Sequence, residues 1–526
     1  MPAGRRPSFL LFLTDQQRAD QLGCYGNALA RTPRLDALAA RGAVFDDLHV
    51  ATPSCMPNRA SLFTGRMPSA HGLRVNGIEL DHAELTFPER LRQAGYRTAL
   101  VGKSHLQNIT TVPPHWPAPG EPRRAPETRA AGAGRYGQEC WRRWEDDTSF
   151  ALALPYYGFE TARLAINHGD DQYGDWRRWL RAQTPDADRL VGQANALPTP
   201  DLALAACGQA WRTRLPEALH PTRWIAEETA ALLDRLGRDD APFCIVCSFP
   251  DPHHPFTPPG RYWDLVRPED AQLPAAFHTD APPPHIAWLR AQRDAGRALK
   301  RGHAAWACTE REAREAIALN HGLMALIDDA VGRTLDALEA SGRAADTVVA
   351  FTSDHGELLG DHQLMFKGGL HCRALTRVAG IWHDPDAAAP RRIGALAQSI
   401  DLAPTILDRA GLGPPNGMQG RSLLPLVRGE AMAVRDTLLV EEEGQRRDFG
   451  WPHRVRMRSL LDGRHRLTLY EGQPWGELYD LVADPLESVN RWDDPAAAGL
   501  RADLTERLAR GMIGLADESP YPAASA

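Results

Sequence analysis

No stretch of this sequence stays apolar for the roughly 20 residues that a membrane-spanning helix needs, so no membrane partner is expected. There is also no surplus of positive charge: 60 Lys and Arg stand against 67 Asp and Glu, a net charge of -7. Without a basic stripe, nucleic acid is not expected as a partner. An anionic substrate would have to be held by a few placed cations rather than by the overall field. Cysteine is sparse, with eight scattered at 24, 55, 140, 207, 244, 247, 308 and 372. Cys244 and Cys247 form a C-x-x-C, but inside Phe243-Cys-Ile-Val-Cys-Ser-Phe249, which reads as a buried strand rather than a redox or zinc site. A secretory leader is not expected either. The apolar run after Arg5 and Arg6 is short, lacks a small-residue cleavage site and meets Asp15 at once. A cytoplasmic location with reduced thiols is the expectation.

What is present is an alternation of strands and helices in a chain of 526 residues, long enough for a large core and more than one domain. Phe9–Leu13 has the length and continuous apolar character of a strand buried on both faces, as in parallel sheets. It ends at Asp15, at the strand end where open α/β sheets place their sites. Val44–Val50, Tyr96–Val101, Phe243–Phe249 and Thr347–Thr352 read as further strands. Helices are expected at 32–41, 86–95, 222–238, 309–342 and 400–411, several opened by Pro and closed by Gly. From about 110 to 221 the pattern weakens into Pro, Gly, Arg and Trp (Trp116, Trp141, Trp144, Trp176, Trp179, Trp211). This stretch and a second at about 258–308 read as insertions that wall the site or make subunit contacts, although any single Trp there is expected merely to pack. After about 437 short alternating segments at 438–442, 455–461 and 466–470 suggest a small antiparallel sheet, followed by a helix near 500–511. The expected division is 1–436 for catalysis and 437–526 as a C-terminal subdomain.

One stretch carries the chemistry. Cys55-x-Pro57-x-Arg59-x-x-x-x-Thr64-Gly65 places a thiol beside the start of a helix, whose free N–H groups suit an anion. Further along come Gly102-Lys103-x-His105, Pro252-His253-x-Pro255-Phe256, Asp354-His355-Gly356, Lys367 and Glu477-Leu-Tyr-Asp-x-x-x-Asp-Pro-x-Glu-x-x-Asn490. In this order and spacing the chain resembles the sulfatases, with the phosphonate monoester hydrolase branch beside them, in the alkaline phosphatase superfamily. The resemblance covers nearly the whole sequence. It implies an α/β, alkaline-phosphatase-like fold: a mixed, mostly parallel sheet sandwiched by helices, with the smaller antiparallel sheet at the C-terminus.

The resemblance also implies roles. Cys55 is oxidised by a formylglycine-generating or other sulfatase-maturing enzyme, and the hydrated aldehyde is the nucleophile. Asp15, Asp354, His355 and residue 55 surround one divalent metal ion, calcium, manganese or magnesium. Arg59 holds the diol, Lys103 and Lys367 neutralise the ester's non-bridging oxygens, and His105 takes a proton from the second hydroxyl. Lys103 and His105 are expected to point the same way along an extended segment. His253 protonates the leaving group, while Gln16 and Asn76 hydrogen-bond the anion. Glu357, Asp361 and His362 are expected only to support the site or the fold, and His254 and His371 are balanced between site and structure. Many sulfatases have two consecutive Asp at the first strand and Asp-Asn at the later one, where this chain has Asp15-Gln16 and Asp354-His355. The expected reaction is hydrolysis of a small-molecule sulfuric ester. Hydrolysis of a phosphonate monoester or phosphodiester by the same site is the alternative, because both substrates present one negative charge at a tetrahedral centre. A homo-oligomer is expected from the aromatic insertions.

Overall fold

A computed structural model describes residues 6–113, 132–199, 201–387 and 389–524; Trp116 lies outside them. The architecture is α/β. A large sheet is built from β1 (Ser8–Thr14), β2 (Ala43–His49), β3 (Arg97–Gly102), β4 (Thr161–Ile166), β5 (Tyr173–Gly174) and β6 (Phe243–Ser248). β8 (Thr347–Ser353), β10 (Arg377–His383), β11 (Arg391–Ile393) and β12 (Ala397–Gln398) complete it, while β7 (Trp306–Ala307) pairs with β9 (Leu364–Met365) in a separate ribbon. The order across the large sheet is β11-β2-β10-β8-β1-β6-β3-β4-β5, with β12 on β2. At its centre β8, β1, β6, β3 and β4 run parallel, whereas β10 is antiparallel to both neighbours.

The alternation of β1 explains the two layers. Phe9 and Leu11 enter one apolar core with Phe63, Leu91 and Ile406. Leu10 and Phe12 enter the other with Ile225, Met324, Ile327 and Val331. Successive side chains of a strand point to opposite faces, so each face is covered by helices: Cys55–Thr64, Phe87–Gln93 and Leu402–Arg409 on one, Pro221–Gly237 and Glu310–Ala340 on the other. Burial of each large apolar side chain contributes about 1.5–3 kcal/mol. The long helix starts on a capping box between Thr309 and Glu312, which satisfies two otherwise free N–H groups. Cys244 and Cys247 lie on β6, wholly buried, and burial raises both thiols, Cys247 to about 12. They pack in the core of the sheet.

Within the stretch expected as an insertion at 110–221, β4 and β5 join the edge of the main sheet, so part of it is sheet rather than loop. β10 too lay hidden in a segment read without a strand. At the C-terminal end, β13 (Leu438–Glu443), β14 (Arg456–Leu461), β15 (His465–Tyr470) and β16 (Gly476–Asp480) form an antiparallel sheet backed by the Ala498–Gly514 helix through Leu504 and Leu508. Its Glu-Leu-Tyr-Asp stretch is structural. Arg466, fully buried, pairs with Glu477 at 2.8 Å and Glu487 at 2.5 Å. His371 belongs here as well, at 2.7 Å from the Ser459 hydroxyl.

The Cys55–Thr64 helix is tied down by His71, which gives a prediction about acid stability. Leu73 N–H donates to His71 Nδ1 at 3.2 Å, so Nε2 carries the proton of the neutral ring and faces the Ser61 hydroxyl at 3.0 Å. Burial first, then the charge on Arg66, depresses its pKa to about 3. The unfolded imidazole titrates near 6.5. A depressed folded pKa means the contribution is complete above pH 6.5 and shrinks as pH falls towards 3. Between pH 7 and 5 this group alone should lower stability by about 2 kcal/mol. Urea unfolding of wild type and His71→Gln at both pH values checks it: the loss should be smaller in the variant by that amount. Equal losses would contradict it.

Candidate active site

Five adjacent parallel strands end on one edge, and each delivers a polar residue there. β8 leads to Asp354 and His355, β1 to Asp15 and Gln16, β6 to His253 and His254, β3 to Lys103 and His105, and β4 to His168. Two glycines permit the close approach. At Gly102 (φ +106°) an added Cβ would lie 1.8 Å from the Ser248 carbonyl oxygen, and at Gly356 it would lie 1.9 Å from that of Ala374. Opposite this edge the Cys55–Thr64 helix points its N-terminus inward, with Cys55 as its first residue and all ten residues buried.

The thiol stands among charges. Cys55 Sγ is 3.2 Å from His355 Nε2, 3.0 Å from Lys367 Nζ and 3.9 Å from Asp15 Oδ1. Burial works to raise the thiol, yet Lys367, His355 and Lys103 bring it below its ordinary value. Burial likewise opposes ionisation of Asp15, but Lys103, with Arg59 behind it, holds that carboxyl well below the usual range. For His355, burial and Lys367 work downward, and Asp354 with Cys55 prevails to raise it.

Asp15, Cys55, Asp354 and His355 present ligand atoms within 4.8 Å of one another. The donor set fits a divalent cation in its orientation as well. His355 Nδ1 faces the Gly356 carbonyl oxygen at 2.8 Å; donating there puts the lone pair on Nε2, the usual arrangement for a metal-ligating histidine. Each carboxylate has its Oδ2 on a cation and its Oδ1 towards that nitrogen. Arg59 Nε holds Asp354 Oδ2 at 2.7 Å and Lys103 Nζ holds Asp15 Oδ2. The two Oδ1 atoms lie 3.7 Å (Asp15) and 3.6 Å (Asp354) from His355 Nε2.

Several expectations meet different contacts. Arg59 is fully buried and grips carboxylates and backbone: besides Asp354 it reaches the Lys103 carbonyl at 3.0 Å and the Ser248 hydroxyl at 2.9 Å. The extended segment expected from Lys103 to His105 does not exist, because His105 has φ +60° and its backbone N–H is turned to Glu139 at 2.7 Å. The His105 ring is buried, 6.4 Å from that of His168, with Nδ1 unpartnered. Asn76 spends its carboxamide oxygen on the helix N-terminus, accepting from Met56 N–H at 3.1 Å and lying 3.2 Å from the Ser54 hydroxyl.

Gln16 is saturated. It accepts from Lys367 Nζ at 2.5 Å and donates through Nε2 to Glu357 and, at 3.0 Å, to His254 Nδ1. That makes His254 Nδ1 an acceptor and leaves the proton of the neutral ring on Nε2, which faces His303 Nδ1 at 2.9 Å. His254 is thus part of the site. Glu357 supports it by fixing Gln16, while Asp361 pairs with Arg18 and His362 meets the Thr279 hydroxyl at 3.2 Å.

Two histidines were missed from sequence. His168 lies 2.7 Å from Lys103 Nζ and stacks on His253 with centroids 3.7 Å apart. His303, from the second insertion, closes the relay that begins at Glu357. His168 follows the strand β4, and a lone His just past a strand end was the signal available. His303 had none, since it sits in the Arg301-Gly-His303 loop.

A cavity of about 480 Å³ adjoins this centre and is lined by Ser54, Asn76, His303 and Lys367 among others. The sulfatase family model matches residues 7–412 of the chain. The chain belongs to the sulfatase family. A second family model, the C-terminal part of N-sulphoglucosamine sulphohydrolase, matches residues 361–513. The chain is 28% identical over 496 residues to an arylsulfatase of Clostridium perfringens, covering 92% of this chain and 90% of that one. It is 29% identical over 546 residues to a multifunctional alkaline phosphatase superfamily protein of Trinickia caryophylli, covering 98% and 96%. Among solved structures, the phosphonate monoester hydrolase of Agrobacterium radiobacter superposes with a TM-score of 0.75 at 27% identity, covering 98% and 97%. This sulfatase is therefore a hydrolase with the alkaline-phosphatase-like fold.

Proposed function

We propose that this sulfatase cleaves small-molecule sulfate monoesters by attack at sulfur, with phosphonate monoesters as a second substrate class of the same site. The observation that carries the reading is Cys55 at a buried helix N-terminus, between Lys367 on one side and Asp15, Asp354 and His355 on the other. Oxidation of Cys55 to formylglycine by a maturing enzyme would supply a hydrated aldehyde as nucleophile, which can release the sulfate without a separate water attack on a covalent adduct. A calcium, magnesium or manganese ion held by Asp15, Asp354 and His355 would supply Lewis acidity.

The remaining work falls to side chains. Lys103 and Lys367 neutralise the non-bridging oxygens, where charge must be stabilised through the transition state. Arg59 keeps the two carboxylates aimed. His253 protonates the departing oxygen, and His105, on the Lys103 side with His168, takes the proton of the second hydroxyl. By the family resemblance, Lys103 with His105 leans towards sulfate over phosphonate.

The test uses protein coexpressed with a maturing enzyme and loaded with divalent cation. Its kcat/KM for an aryl sulfate should exceed that for a phenyl phosphonate ester, and a chelator should abolish both. Turnover of the phosphonate alone would reverse the assignment; turnover indifferent to exhaustive chelation would remove the cation from it. We also propose a cytoplasmic location, supported by the seven cysteines besides Cys55 being unpaired, and a homo-oligomer. Cell fractionation and light scattering test these.

A further inference from the structure

We propose that the cavity beside Lys367 is a leaving-group subsite for a second anionic group, a carboxylate, sulfate or phosphate carried by the alcohol or phenol part of the ester. The inference deepens the sulfate-ester reading and rests on it. The cavity adjoins the reacting centre, because Lys367, one of its wall residues, has its Nζ 3.0 Å from Cys55 Sγ. Trp288 and Phe449 offer apolar wall for the body of the leaving group. Farther out, two unrelated parts of the chain converge on it with guanidinium groups. Arg297 and Arg301 come from the loop after the Pro284–Asp294 helix, and Arg446 from the loop between β13 and β14.

The acidic residues on the same wall, Glu442, Glu443 and Asp448, offset only part of this charge. Glu443 lies within 3.8 Å of Arg74, 3.6 Å of Arg456 and 4.0 Å of Arg458. Glu442 accepts from Gly369 N–H at 2.9 Å and stands 3.4 Å from His371 Nε2. Burial pushes Asp448 up to about 6 against the pull of Arg446, so near neutral pH it offsets part of that arginine's charge. At the neck, His303 has Nδ1 committed to His254, so its neutral ring carries a proton on Nε2, a donor at the cavity wall. Burial, then Lys367 and Arg446, hold its pKa down to about 4, which keeps that tautomer neutral. Lys367, His303 and the arginines are all donors. Such a set of donors recognises an anion.

The experiment compares 4-nitrophenyl sulfate with its ring-carboxylated analogue on matured, cation-loaded enzyme. KM for the carboxylated ester should be about tenfold lower, as expected for several charge-assisted contacts partly open to solvent. The preference should shrink at high salt. In the Arg301→Ala, Arg446→Ala double variant the KM ratio should approach one. In Arg238→Ala, which removes an exposed arginine paired with Asp234, it should stay at the wild-type value. Equal KM values in wild type, or a preference that survives the double variant, would overturn the subsite. If neither ester is turned over, the hydrolase reading fails by itself. Calorimetric binding of the carboxylated nitrophenol against plain nitrophenol then decides the subsite: tighter binding lost in the double variant supports it, and equal binding overturns it.

Discussion

An alanine at position 55 should lower kcat/KM for an aryl sulfate by about 10⁴- to 10⁶-fold, the scale on which enzymes lose activity when the nucleophile itself is removed. The fold should survive. Cys55 is buried at the first position of its helix, where its side chain is small and makes no backbone hydrogen bond, so truncation should cost only about 1 kcal/mol. Serine at the same position sharpens the test. Its hydroxyl would occupy the place of the thiol, 3.0 Å from Lys367 and 3.2 Å from His355. It can attack once, but the resulting sulfated serine has no second hydroxyl through which to collapse. A burst of about one product per site followed by arrest is the expected trace. Steady turnover by either variant would place the nucleophile elsewhere.

The second large effect concerns Arg59. Its guanidinium is fully buried and is the partner of Asp354 at 2.7 Å, with Asp15 Oδ2 at 3.8 Å. Burial works against its charge, but Asp354, Asp15 and Cys55 prevail and raise its pKa. Replacing Arg59 with Leu strips Asp354 of its ion-pair partner and leaves Lys103 and Lys367 as the lysines beside the two buried carboxylates. Breaking one side of a buried pair in this way costs about 3–5 kcal/mol. Saturating divalent cation should recover part of the loss, because an ion bound only by the folded state stabilises it by mass action. Denaturant unfolding with and without cation reads both quantities. A loss below about 1 kcal/mol would show that Arg59 does not hold the carboxylate pair.

Most of the centre was legible because parallel strands announce their ends. Apolar runs closing on Asp15, Lys103 and Asp354 put those residues at one edge before any coordinate was known, and the Cys55 pattern supplied the helix opposite. Less visible were elements whose sequence does not alternate or run apolar. β10 begins with Arg377 and passes through Gly380, and β4 carries Arg163 on a half-exposed edge, so neither reads as a core strand. Their absence hid the fifth strand end and with it His168.

The roles given to Arg59, Asn76 and Gln16 met different contacts for a different reason. Spacing places a side chain near a site but does not say which of several acceptors it takes. The buried carboxylates claim Arg59, the free N–H of the helix claims Asn76, and Lys367 with Glu357 claims Gln16. His105 shows the limit of reasoning from strand periodicity beyond a strand's end, since a single left-handed residue turns the chain away.

The central claim is that an oxidised residue 55 does the chemistry. The most direct measurement is the mass of the tryptic peptide Gly42–Arg59 from preparations of graded specific activity. The account predicts that the fraction carrying the aldehyde in place of the thiol tracks activity in proportion and falls to zero with it. Full activity from protein whose peptide carries only the intact thiol would contradict it.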